Sequence, residues 1–189
     1  MRPACRQRLL ADEFDVDAGK LAVVAGAAAY FEGFGDLLPE RLKFSTRNRR
    51  PPKDPVNAAL SLGYTLLHAE AVLALHSGGF DPFIGFFHSL DFGRESLACD
   101  VVEPLRVEVD RHMLHLFHSE KLRADDFSKL DGGCWLGKAG RARFYAEWEP
   151  LAERLRKKLS EAGSDLAAML AQTGVPATTG HAANHTAPL

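Results

Sequence analysis

The 189-residue chain is 46% hydrophobic and 25% charged, the balance of a globular protein with a real core, and suits one ordinary domain with or without a tail. Its formal net charge of −2 gives no global attraction for nucleic acid. Three scattered cysteines without a CxxC pair exclude a disulfide framework and a thiolate zinc site. The opening MRPACRQRLLADEFD lacks the apolar run of a signal peptide, and no stretch reaches the ~18 uninterrupted apolar residues of a membrane span, so the expectation is a cytoplasmic protein with no membrane contact.

Local charge is more informative. Residues 11–40 hold seven acids against the single base Lys20, whereas residues 41–53 hold six bases and no acid. A polyanion would therefore meet one face of the molecule.

Residues 1–17 read as an irregular N-terminal segment. The apolar period is helical over nearly all of 18–172. A first helix is predicted over Ala18–Leu38, with Leu21, Val24, Ala28, Phe31 and Phe34 as its stripe and Pro39 at its end. RLKFSTRNRRPPK follows as an extended loop stiffened by Pro51-Pro52. Asp54-Pro55 predicts a capped helix start, and that helix runs to His76 before Gly78-Gly79. After the short connection DPFIGFFH, a third helix is predicted from GRES to about His118. Its expected stripe is Leu97, Val101, Leu105, Val109 and Met113. Asp131-Gly132-Gly133 signals a hairpin. A charged helical region covers Lys138–Gln172, with Pro150 expected to kink or split it. Residues 173–189 are small, polar and rich in Pro and Gly, and are expected to be a disordered tail. No internal repeat is evident. The fold class is all-α, with at most one small β-hairpin.

The third helix carries the chemistry. At about 100° per residue Asp100 and Glu103 stand about 60° apart, so two carboxylates reach one groove. His88 lies twelve residues before Asp100. One imidazole and two carboxylates suit Mg²⁺ or Mn²⁺, which would polarise a phosphodiester. The spacing alone also belongs to any charged amphipathic helix, and a histidine before a helix also serves as a cap or packed side chain. Arg47, Arg49, Arg50 and Lys53 beside the two prolines fit phosphate contacts, or solvated charge balancing the acidic first helix. Lys138, Arg141 and Arg143 open the last helix, where positive charge opposes the macrodipole and hints at an anionic partner. His68, His76, His112, His115 and His118 read as ordinary structural or surface histidines.

The run PPKDPVNAALSLGY, a glycine and histidine before a short loop, and then SLACDVVEPLR resemble the signature PPxDPxNAxLSxGY…SLAxDxxEPxR of the CRISPR spacer-acquisition integrase-endonucleases, the Cas-one (Cas1) family. The similarity covers about residues 20–160, the helical catalytic lobe in that family. It implies that His88 and Glu103 bind metal and that Asp100, one turn earlier, supports the site and completes the catalytic set. It also implies a metal-dependent activity on double-stranded DNA, joining spacer 3′-hydroxyls to repeat DNA. The partners implied are a homodimeric arrangement and a small Cas-two (Cas2) dimer. One family feature is missing. The first metal-binding glutamate stands seven residues before an aromatic pair, here Tyr30-Phe31, which gives Val23; with a two-residue shift the position is Ala25. Neither side chain binds a metal, and the family's β-rich N-terminal domain is not matched either. The alternative expectation is thus a truncated, catalytically impaired DNA-binding or scaffold fragment.

Overall fold

A computed structural model describes residues 16–87 and 92–172, the side chains of residues 16–25 excepted. Most of the predicted N-terminal segment, the predicted tail and His88 lie outside the described residues.

The described chain forms helices α1 (Val16–Asp36), α2 (Pro55–Ser77), α3 (Ser96–Val102), α4 (Arg106–His118) and α5 (Lys138–Gln172), with strands β1 (Phe127–Leu130) and β2 (Gly133–Leu136) between the last two. Short 3₁₀ turns cover Glu40–Leu42, Glu103–Leu105 and Ala124–Asp126. The architecture is all-α with one small antiparallel hairpin. The described residues fall into two compact units, one containing 16–65 and 106–149, the other containing 66–87, 92–105 and 150–172.

In the first unit, α1 buries Phe34 and then Leu38 just beyond its end, while Ala28 of the expected stripe is exposed. Phe34 packs edge-on against Phe31 and Phe44, with ring centroids 5.9 Å apart in each pair. The cap on α2 is the expected one: Asp54 Oδ1 accepts the Asn57 amide at 2.8 Å and Pro55 holds the first helical position. Val56, Ala59 and Leu60 lie on its buried face in this unit, and Leu67, Ala71 and Leu75 in the other. Length and composition would let α2 cross a membrane. The three- and four-residue spacing of its fully buried side chains is instead that of a core helix.

The end of α2 is a Schellman stop. Gly79 has φ +80°, the Phe80 amide donates to the Leu75 carbonyl at 2.9 Å, and the Gly79 amide to the His76 carbonyl at 3.0 Å. Gly79 is needed because the left-handed conformation disfavours a Cβ.

The third helix departs from expectation. It is not continuous from GRES to His118 but breaks into α3, a 3₁₀ turn over Glu103–Leu105, and α4. Pro104 explains the break, since it has no amide to donate and its ring crowds the preceding turn. The tighter turn also shifts the buried register: Val102 is buried rather than Val101, while Leu97, Val109 and Met113 keep their expected places.

Pro150, by contrast, does not split α5, which is helical throughout Lys138–Gln172. Buried Phe144 and Trp148 before it, and Leu151, Ala152 and Leu155 after it, carry the apolar stripe through the proline. That burial offsets the ~3 kcal/mol cost of an interior proline. The hairpin turns through Asp131 (φ 51°) and Gly132 (φ 74°), the two left-handed residues of a type I′ turn. Cys134 on β2 is buried, and burial raises its thiol pKa.

Candidate nucleic-acid interface and acidic helix

The basic loop is fastened to α2 through Asn57, which is fully buried. The Asn57 carboxamide nitrogen donates to Asp54 Oδ2 at 2.6 Å and to the Thr46 carbonyl at 2.9 Å. Its oxygen accepts the Asn48 amide and Arg47 Nη1, each at 2.9 Å. Asn48 Oδ1 in turn accepts the Lys53 amide at 2.9 Å. One side chain thereby satisfies backbone groups that a surface loop would otherwise leave to water. The hairpin fastens the other side, where the Cys134 amide donates to the Pro52 carbonyl at 2.7 Å.

Within this frame the predicted cations divide. Arg47 is turned inward and half-buried, bonded to Asn57, to the Asn48 carbonyl and to Ser61 Oγ at 3.1 Å. Burial lowers its pKa. Arg49, Arg50 and Lys53 are exposed, as are Lys138 and Arg141. Arg143 is half-exposed and forms an ion pair with buried Asp126. The three exposed loop cations are held on a stiff support, whereas Arg47 belongs to the support itself.

Beneath the loop lies a polar cluster that no sequence pattern signalled. Tyr64 on α2 and Tyr30 on α1 both donate to the Asp110 carboxylate of α4, Tyr30 at 2.7 Å. The guanidinium carbons of Arg47 and Arg106 stand 5.5 and 5.4 Å from the centre of the Tyr64 ring. Asp110 is 3% exposed, and burial raises its pKa even though the two phenols and both arginines oppose the shift. An acid one residue from Val109 on the apolar stripe was the available signal, together with a tyrosine in the signature LSLGY.

In the second unit, the expected partnership of Asp100 and Glu103 changes because of the break at Pro104. Asp100 is buried, and its Oδ2 accepts the amides of Phe86 and Phe87 at 2.8 and 3.0 Å. Glu103 is exposed at the first position of the 3₁₀ turn. Asp100 thus ties the segment leading to His88 onto the helix that Glu103 follows. The other end of the connection is held by the Leu97 amide on the Pro82 carbonyl at 2.8 Å, and by Glu95 Oε2, 2.6 Å from His68 Nε2. Sequence reasoning missed His68 because its partner lies 27 residues away. Among the described residues, no group of three His, Cys, Asp or Glu side chains is arranged to hold a metal ion.

This helical fold is shared with solved structures. A CAS1 protein from Thermotoga maritima aligns with a TM-score of 0.70 at 28% identity, covering 76% of this chain and 48% of that one. A casposase bound to an integration product gives 0.68 at 26% identity, covering 86% and 55%. Residues 24–150 match the family described as CRISPR associated protein Cas1. The CRISPR-associated endonuclease Cas1 1 of Thermodesulfovibrio yellowstonii is 47% identical over 145 residues, 75% of this chain and 46% of the relative. Cas1 3 of Thermus thermophilus is 40% identical over 158 residues, 82% and 48%. This chain belongs to the Cas1 family. It spans about half the length of the curated relatives it matches.

Proposed function

We propose that this chain is the helical lobe of a metal-dependent double-stranded DNA endonuclease and integrase of CRISPR adaptation, acting in the cytoplasm and joining spacer 3′-hydroxyls to repeat DNA. The observation that carries this reading is the family match over residues 24–150, a span that contains His88, Asp100 and Glu103. The described donors do not by themselves make a divalent-cation site, because Asp100 is committed to two amides and only Glu103 is exposed beside it. On this reading His88 and Glu103 hold Mg²⁺ or Mn²⁺, which when bound would polarise a phosphodiester. Asp100 acts as a positioning residue that orients the approach to His88, and Arg49, Arg50 and Lys53, with Lys138, Arg141 and Arg143, take DNA phosphates. A Cas2 partner fits the similarity to a Cas6-RT-Cas1–Cas2 complex, at a TM-score of 0.68 and 30% identity, and a homodimeric arrangement belongs to the same proposal.

A second reading is a DNA-binding scaffold with weak or no catalysis, favoured by Val23 and Ala25 where the family carries its first acidic ligand. Losing an anionic ligand weakens a hard-cation site. One assay separates the two. Labelled duplex with free 3′-hydroxyls is incubated with a repeat-bearing plasmid, Mn²⁺ and the chain or its E103Q variant. Strand transfer that E103Q removes supports the integrase. DNA binding without transfer supports the scaffold, and absence of both refutes the two together.

A further inference from the structure

Glu95 stands at the N-cap of α3, where a carboxylate ordinarily accepts one of the first free amides of its own helix. Here its side chain makes no cap bond. The Leu97 and Ala98 amides, second and third in the helix, turn instead to the Pro82 carbonyl oxygen at 2.8 and 3.4 Å. Glu95 is thereby released from the cap, and its Oε2 reaches His68 Nε2 on α2 at 2.6 Å. The two side chains are 32% and 33% exposed, so the bond is partly shielded from water.

α3 is seven residues long, well short of the about 12–15 at which a helix begins to hold its own shape in water. Pro104 also parts it from α4, so no continuous helix braces it. Its place depends on what it is fastened to. The bonds to Pro82, Phe86 and Phe87 fasten it to the preceding connection, and Leu97, Ala98 and Val102 bury its apolar side. The bond from Glu95 runs elsewhere, to α2, whose neighbouring Leu67 and Ala71 are fully buried. Apolar contact alone lets a short helix roll, because it has no direction. A hydrogen bond at the first residue has one, and stops the roll. We propose that His68 is a positioning residue for the acidic helix: by drawing Glu95 away from the cap it fixes the rotation of α3 about its axis. Asp100 and Glu103 follow within two turns and take their directions from that rotation. The consequence for DNA rests on the integrase reading above, which gives Glu103 its role.

The test compares two variants of the full chain. His68→Phe keeps a ring without a donor, and His68→Gln places an amide nitrogen where Nε2 stood. Hydrogen exchange is followed at the Phe86 and Phe87 amides, at residues 99–102, and at residues 71–75 of α2 as a control. H68F is expected to speed exchange at the first two groups about tenfold, the order of one hydrogen bond to a charged group, and to leave the control unchanged. H68Q restores most of the protection. Glu95→Ala reproduces H68F, and the H68F/E95A pair adds nothing further, as for two partners of one bond. In strand transfer, H68F lowers kcat about tenfold or more with DNA affinity unchanged, and H68Q recovers it. Unchanged exchange in H68F overturns the proposal and leaves the integrase reading intact. Equal losses in H68F and H68Q, or losses that extend to the α2 control, show a ring that only fills space and overturn it as well. A parent without strand transfer fails the integrase reading, and the exchange pattern then decides alone whether His68 sets α3.

Discussion

Gly85 and Asp100 approach so closely that a Cβ on Gly85 would stand 2.8 Å from Asp100 Oδ2. The same oxygen receives the next two amides along the chain, so the turn wraps a buried carboxylate with its backbone. Asp100→Ala leaves both amides without this acceptor and is expected to cost about 1.5–3 kcal/mol, as for hydrogen bonds to a charged group. Gly85→Ala produces a comparable loss by overlap, about 1–3 kcal/mol. Denaturant titration gives the magnitude. Hydrogen exchange adds the location: the Phe86 and Phe87 amides lose protection in D100A, and unchanged exchange there would refute the tether.

Asn57 fastens the basic loop by several bonds at once. Asn57→Ala therefore strands the Asn48 amide and the Thr46 carbonyl, and is expected to cost at least about 2 kcal/mol. DNA affinity falls with it, because Arg49 and Arg50 lose their fixed support. A conservative control, Arg47→Lys, keeps the charge but loses the planar fork that reaches Asn57 and Ser61 together. Melting temperature and DNA titration are read side by side. A stable N57A protein with undiminished DNA binding would contradict the account.

The Tyr64–Asp110–Tyr30 cluster makes stability fall in alkali. Burial, with the negative charge and hydrogen bonding of Asp110, raises both phenols above their ordinary value of 10.0. The unfolded chain releases those protons first, so the folded state binds more protons above that pH. The stability they supply is complete below about pH 10 and declines as pH rises past it. Tyr64→Phe flattens this alkaline limb in urea titrations across pH. Asp110, raised by burial, works in the same direction at lower pH, its contribution fading above the ordinary carboxylate value of 3.8.

Features set by neighbouring residues were legible in the sequence. The Asp54-Pro55 cap, the Gly78-Gly79 stop and the Asp131-Gly132 turn each follow from one or two residues whose backbone preferences admit few alternatives. Pro104 carried a signal of the same kind, but the four-residue recurrence from Leu97 to Met113 hid it. At Pro150 the same signal misled, because burial on both sides keeps the helix whole. What periodicity could not supply was pairing between distant residues. Asn57, Asp110 and His68 take their roles from partners on other elements, and a polar residue on an apolar stripe does not name its partner. Arg47 shows the limit from the opposite side: charge patterning placed it among phosphate contacts, while Asn57, Ser61 and the Tyr64 ring draw it inward.

Burial of Cys134 supplies a built-in reporter. A thiol with its pKa raised and its surface covered reacts slowly with alkylating reagents, so modification must wait for β2 to lift from the loop. Mass-resolved labelling of this one cysteine would then time the opening of the hairpin against Pro52.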